Sequence, residues 1–388
     1  MRKKIMAIIG GFLGLITLSS CSFPEGFGGL GGGNSSVTES APAEESVTLS
    51  VTVPRGEAYP YILPAQQYLE AGAGANVRDY LLKVDNPYKG IKIKWDCNAN
   101  VASYKVEYAT KADYSDAIVE ECSGDKDEIE LYNLYKATKY YVRVTAQNEG
   151  GMSLTSTEGS FKTTALGPRV MKIDDIHNVR DMGGYETLDG KTTVQGILYR
   201  GGTLMPADVY ESRLTKDGKE YMSEVMGIKT EIDFREKTEA GNLTESVIPN
   251  ATLEYATLSG YSDAYKYTTG YKKVFTLLAD KNNYPIYYHC TGGADRTGTV
   301  SFLLNALLGV DETTCIQDYE FTSYSIYGER NTQGGAYGTT YFQPFLATLK
   351  TYKGDTLQEK VESYLLSIGI TKEQIANIKT IMYGEISI

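Results

Sequence analysis

Two residues of this chain could perform covalent chemistry together. They are Cys290 and Arg296, the first and last residues of "CTGGADR" within "HCTGGADRTG" (His289 to Gly298). A cysteine is a nucleophile only as the thiolate, which nearby cations and inward-pointing backbone N–H groups favour. The intervening Thr291, Gly292, Gly293 and Ala294 bring such N–H groups, and the two glycines allow the backbone to curl through positive φ so that they converge. Arg296 then closes the ring with a planar fork that matches two phosphate oxygens. A phosphate ester seated there has the sulfur beneath its phosphorus, the arrangement for covalent catalysis through a phosphocysteine. Thr297 can stabilise the thiolate when it departs in the second step, and His289 can hydrogen-bond the backbone and hold the loop. The leaving oxygen needs a proton from a general acid. Three carboxylates are candidates for the cleft: Asp295 in the loop, Asp263 in "LSGYSDAY", and Asp233, which can either face substrate or brace Arg235.

Such a loop needs a strand before it and a helix behind it. "YPIYYH" (284–289) and "KTEIDF" (229–234) are short, apolar and β-prone, whereas "YKKVFTLLAD" (271–280) and "TGTVSFLLNALLGV" (297–310) are helical by length and apolar content. This alternation over 166–388 predicts an α/β domain with a mainly parallel sheet flanked by helices. The cysteine loop then lies at a helix N-terminus, where anions bind.

The extended loop resembles that of the bacterial tyrosine/serine phosphatases of the cysteine-dependent tyrosine-phosphatase superfamily, His-Cys-x-x-Gly-x-Asp-Arg-Thr-Gly. Four further segments resemble that branch: "NVRDMGGY" (178–185), "GILYRGGTL" (196–204), "GIKTEIDFREKTE" (227–239) and "QDYEFTS" (317–323). The resemblance implies a nucleophile at Cys290, a transition-state clamp at Arg296 and a general acid at Asp295, with Asp263 as the rival. Thr291, Gly292, Gly293, Ala294 and Thr297 are then expected to line the phosphate site, with Asp233 at the end of a predicted parallel strand facing the same cleft, while Asn178, Arg180, Asp181 and Arg200 hold loops around it. The branch often carries Lys where this chain has Ala294. That loss disfavours polyphosphorylated inositides and points to phosphorylated proteins or peptides, phosphotyrosine first and phosphoserine or phosphothreonine second. Rival readings are a phosphatase scavenging small phosphate esters or phytate, and an adhesion protein that binds phosphorylated ligands without turnover.

The rest of the chain bounds these readings. A net charge of -11 argues against nucleic-acid binding, and two histidines leave little for a His-rich metal site. Neither a metal nor a cofactor is expected. Residues 1–21 read as an export signal: Arg2, Lys3 and Lys4, a short apolar run, then "LSSC", which resembles a lipoprotein lipobox and implies acylation of Cys21. The implied location is extracytoplasmic, anchored through lipid to the bacterial cell membrane, with residues 22–49 as a Gly/Ser-rich tether. From 50 to 165, "IKIKW", "YKVEY" and "YYVRVTA" alternate as strands of an all-β immunoglobulin-like sandwich. "LYKATKYYVRV" (134–144) resembles the fibronectin type III signature, with Lys136 where proline is usual. This module reads as a spacer, or as a binder of glycan or protein through its loops. "RGEAYPYILPAQQYLEAGAGA" (55–75) matches no pattern, and a disulfide between Cys97 and Cys122 stays open.

Overall fold

A computed structural model describes residues 46–81, 86–205 and 213–388. The expected signal with its lipidation site at Cys21 and most of the tether lie outside the described residues. Among those described, no helix is long and apolar enough to cross a membrane. By internal packing the chain divides into two units. One holds residues up to Thr52, 94–129 and 140–160. The other holds 53–93, 130–139 and 161–388.

The first unit is β-rich. Its strands belong to a three-stranded sheet (Leu49–Thr52, Ile91–Cys97, Glu128–Leu131) and to a five-stranded sheet that contains Ser103–Ala109 paired antiparallel to Ile118–Ser123 and Lys139–Gln147. Alternation makes the core, because every second residue points inward. Trp95, Tyr104, Val106, Val142 and Val144 are buried, and the Trp95 and Tyr104 rings meet at 5.1 Å across the two sheets. The Trp95 indole donates to the Lys126 carbonyl at 2.9 Å, which satisfies its one polar atom. Cys97 and Cys122 stand in different sheets as free thiols.

The second unit is an α/β domain around a six-stranded sheet. In chain order its strands are β1 (Arg169–Val170), β2 (Arg180–Asp181), β3 (Leu198–Gly201), β4 (Thr230–Asp233), β5 (Thr252–Tyr255) and β6 (Ile286–His289), in the spatial order β5-β4-β6-β3-β2-β1. The sheet is mixed, which corrects the expectation of a mainly parallel one. β5, β4, β6 and β3 pair in parallel, but β2 pairs antiparallel to both β3 and β1. Strands β3, β4 and β6 are buried at every residue, as parallel strands covered on both faces must be.

The helix after the cysteine loop (Arg296–Leu307) is buried at every residue from Thr297 to Leu307, so it has no polar face to give a periodic signal. It packs with the helices Thr268–Leu278, Glu312–Glu320, Leu357–Ser367 and Lys372–Met382 around Phe302, Leu303, Phe345, Leu365 and Ile378. Each Val or Leu side chain of that core contributes about 1.5–3 kcal/mol by burial.

The unrecognised stretch belongs to this unit. Helix Leu63–Ala71 carries Pro64 in its first turn, where a missing N–H costs nothing. It lays Ala65, Tyr68 and Leu69, with Tyr61 just before it, against Val170, Phe321 and Tyr324, and the Tyr68 hydroxyl donates to buried Glu320. Lys136 is buried here too. Its amine lies 4.6 Å from the centre of the Tyr185 ring, and burial lowers its pKa to about 7. The departure from the fibronectin signature at Lys136 therefore lies inside the second unit.

Candidate active site

Strand β6 ends at His289 and delivers Cys290 to the C-terminal edge of the parallel strands, where α/β sheets place their ligands. The loop 290–295 curls there and runs into the helix that starts at Arg296. Only Gly293 takes a positive φ, +62°. Gly292 does not, so its place is explained otherwise: a Cβ there would lie 3.0 Å from the Tyr327 ring. A Cβ on Gly293 would fall 2.2 Å from the Gly201 carbonyl.

The loop carbonyls are tied down from outside. Asn178 Nδ2 donates to the carbonyls of Gly292 and Gly293 at 3.0 and 3.1 Å, and Arg200 Nη2 donates to Gly293 at 2.7 Å. A trans peptide points its N–H opposite to its carbonyl. Holding those carbonyls outward therefore turns the N–H groups of Gly293 and Ala294 into the loop, as an anion site requires.

The holders come from three separate stretches of sequence. Asn178 and Arg180 meet Thr322, and Asp318 receives Arg200 at 2.6 Å and lies 3.5 Å from Arg180. All three charged side chains are at most 1% exposed. Burial, together with the Arg200 charge, lowers Arg180 to about 10. Two buried cations share one carboxylate, so Asp318 is indispensable to the network. Asp181 turns instead to Arg169 and to the amides of Gly183 and Gly196, bracing the sheet edge.

Burial pushes the Cys290 thiol up, but the Arg296 cation and the hydroxyl and amide of Thr297 outweigh it, and the net pKa is lowered. Thr297 Oγ1 is buried with no other hydrogen-bond partner and is left to the sulfur. Arg296 is braced by Glu239, which takes Nη1 at 2.8 Å and Nη2 at 2.6 Å and also accepts from Thr291 Oγ1 at 2.7 Å. The hydrogen bond from Arg296 holds the Glu239 carboxyl down to about 2. Sequence reasoning gave Glu239 no role, although it is the last residue of the quoted "GIKTEIDFREKTE".

Behind the loop lies a buried charge cluster. His289 Nδ1 faces the Cys290 carbonyl at 3.1 Å and its Nε2 faces Glu231 at 2.9 Å, so both ring nitrogens face acceptors. Burial pulls its pKa down, but Asp233 and Glu231 outweigh that and raise it. Glu231, Asp233 and His289 lie close enough to collect a cation. The Arg235 guanidinium already fills that role, donating to both oxygens of Asp233 at 2.7–3.1 Å. Asp233 is 0% exposed with both oxygens on Arg235, which is the bracing role of the two that the sequence left open for it. Ala294 is likewise buried, at 2% exposed, and its methyl contributes packing while its amide serves the loop.

The two candidate acids stand apart in environment. Asp295 Oδ1 accepts from Tyr261 and from Arg330 Nε (2.8 Å), and Oδ2 accepts from Arg330 Nη2 (3.1 Å). Asp263 lies on the short helical turn Tyr261–Tyr265, with its carboxylate half-exposed and paired to Lys266 at 3.4 Å. That turn abuts the loop at Gly260, where a Cβ would sit 3.1 Å from the Asp295 carbonyl carbon. Arg330 carried no signal in the sequence, since its partner is 35 residues away and no motif contains it.

Comparison with known proteins agrees with this geometry. Residues 171–384 match the profile described as tyrosine phosphatase family, and residues 77–162 match the fibronectin type III domain. A tyrosine-protein phosphatase of Nostoc commune is 24% identical over 226 residues, which cover 46% of this chain and 75% of that protein. A provisionally named tyrosine-protein phosphatase of Cupriavidus necator is 26% identical over 192 residues, 42% of this chain and 64% of that protein. Among solved structures, the core catalytic domain of the PP-IP phosphatase SIW14 from S. cerevisiae aligns at 16% identity over 43% of this chain and 80% of that one, with a TM-score of 0.26.

Proposed function

The chain belongs to the tyrosine phosphatase family, and from there we propose that it hydrolyses phosphotyrosine in proteins or peptides through a phosphocysteine intermediate. The observation that carries this reading is the loop itself. Its carbonyls are drawn outward by Asn178 and Arg200, its amides are turned in, and a thiol with lowered pKa lies under the Arg296 fork. Such a site gains its rate mainly from positioning and charge stabilisation.

In the first step the Cys290 thiolate forms a bond to phosphorus while the bond to the leaving oxygen breaks. Arg296 and the loop amides receive the charge on the equatorial oxygens, and Glu239 keeps the guanidinium plane in register. Asp295 gives its proton to the departing phenolate. Its Oδ2, held by a single bond from Arg330, is the oxygen with a contact to release. In the second step water attacks the phosphocysteine, Asp295 takes a proton back, and the thiolate leaves toward Thr297 Oγ1. The absence of a cation at Ala294 supports a phosphopeptide over a polyphosphorylated inositol. Profiling with phosphotyrosyl and phosphoseryl peptides, inositides and phytate is the test. Turnover fastest on inositides or phytate overturns the substrate assignment.

We propose separately that the enzyme is extracytoplasmic and lipid-anchored. "LSSC" after a short apolar run supports acylation at Cys21, and the Gly/Ser-rich stretch after it supports a tether. The fibronectin-like module then serves as spacer or as a site for a glycan or protein.

A further inference from the structure

A second concavity of the α/β unit adjoins the cysteine loop. It is a cavity of about 290 Å³ bounded by Arg78, Tyr327, Glu329, Arg330, Asn331 and Tyr337. Two of its walls are also walls of the loop: Tyr327 packs its ring on Gly292, and Arg330 reaches Asp295 at 2.8 Å. An extended chain advances about 3.3–3.6 Å per residue. A peptide whose phosphorylated residue is in the loop therefore brings its next one or two side chains to this cavity.

The cavity has a fixed side and an available side. Arg330 is fully committed. Besides Asp295, its Nη1 donates to the carbonyls of Tyr327, Gly328 and Glu329 at 2.9–3.3 Å, and Tyr337 stacks 3.8 Å from its guanidinium. Arg78 differs. Its side chain is 55% exposed, and its Nε and Nη2 both go to one oxygen, Glu329 Oε1, at 3.0 and 2.8 Å. A guanidinium forks best onto a whole carboxylate, and Arg78 meets only one oxygen of Glu329, through one hydrogen bond and a close ion-pair contact. Its Nη1 has no partner among the described residues. The rim thus presents a partly used cation, with Glu329 as its internal competitor, beside two tyrosine rings in a protein whose net charge is -11.

We propose that this cavity is a substrate subsite that takes an acidic side chain one or two residues from the phosphorylated residue, its carboxylate received by Arg78 between Tyr327 and Tyr337. Arg78 lies in the turn Val77–Tyr80, outside the segment 171–384 that matches the phosphatase family. Sequence preference would then be supplied by the stretch that precedes the catalytic segment. The subsite rests on the phosphatase reading of the Cys290 loop.

The test uses the full chain carrying Cys290→Ser and fluorescent phosphotyrosyl peptides with Glu, Gln or Lys at each position flanking the phosphotyrosine. For a half-exposed guanidinium the Glu peptide should bind about 2–5-fold tighter than its Gln counterpart at one position, and less so at high salt. Adding Arg78→Gln should bring that ratio to about one. Adding Glu329→Gln should raise it, because the competitor for Arg78 is removed. Opposite shifts in the two variants cannot come from a folding defect. Equal binding of Glu and Gln peptides at every position, or the same direction of change in both variants, overturns the subsite. Aryl phosphate hydrolysis by the wild-type chain is read in parallel. Its absence beside a persisting Glu preference would refute the catalytic reading and leave the subsite standing.

Discussion

Replacing Asp295 by asparagine separates two roles of one side chain, because it keeps the shape and removes the charge and the proton. The first effect is structural. Arg330, 7% exposed, loses its counter-ion and one of the two oxygens it binds. Breaking a buried pair costs about 3–5 kcal/mol. Here the carboxylate is 37% exposed and three backbone carbonyls still receive Arg330, so about 1–2 kcal/mol is expected, a few degrees in Tm. The second effect is chemical. Phosphotyrosine leaves as a phenolate with a conjugate-acid pKa of about 10. Loss of its proton donor should slow it by about 10²–10⁴, or about 2.7–5.5 kcal/mol in barrier. An aryl phosphate with a much more acidic phenol leaves unaided and should be slowed far less. Structural damage would slow both substrates alike. The assay is therefore kcat across aryl phosphates of graded leaving-group pKa, well below the variant's Tm. A steep dependence should appear in Asp295→Asn, and the basic limb of its pH–rate profile should flatten. Asp263→Asn, altering an exposed residue paired with Lys266, is the control and should keep the wild-type slope. Parallel lines for wild type and Asp295→Asn, or a steep line for Asp263→Asn instead, would refute the assignment.

Cys290→Ser should abolish turnover while retaining phosphopeptide binding, and Arg296→Lys should lose most activity because an ammonium cannot make the paired contacts; turnover surviving in Cys290→Ser would place the chemistry elsewhere. Thr297→Val removes a hydroxyl that favours the thiolate, so the pH midpoint of Cys290 alkylation should rise in the variant relative to wild type. An unchanged or lower midpoint would mean that the hydroxyl does not serve the sulfur. Asp318→Asn leaves Arg180 and Arg200 buried without an anion and should cost about 3–5 kcal/mol, read as a lower denaturant midpoint at unchanged m. A cost below about 1 kcal/mol would show that the two guanidiniums need no anion there. Cys21→Ala should release the protein from membrane fractions or leave its precursor uncleaved, and unchanged fractionation and processing would count against the anchor.

Local sequence was enough for whatever is local in physics. The nucleophile, its arginine and the amides between them lie within seven consecutive residues, so the chemistry of "CTGGADR" could be read before any fold was known. Strand β6 and the helix behind the loop were legible from their apolar content, whereas β4, Thr-Glu-Ile-Asp, is buried with two carboxylates that His289 and Arg235 make tolerable. Tertiary structure decided what depends on residues far apart in the chain. Asn178, Arg200, Asp318 and Thr322 lie in separate motifs, but only folding sets Asn178 and Arg200 on the carbonyls of Gly292 and Gly293, with Thr322 and Asp318 behind them. Asp233 ends a strand beside the cleft, yet Arg235, two residues on, folds back and spends both its oxygens. The antiparallel β2 has only two residues, too few for alternation to declare a direction. Arg330 and Arg78 belong to no pattern, since a charge gains its role from the carboxylate it meets. Asp295 and Glu329, their partners, lie 35 and 251 residues away in the chain.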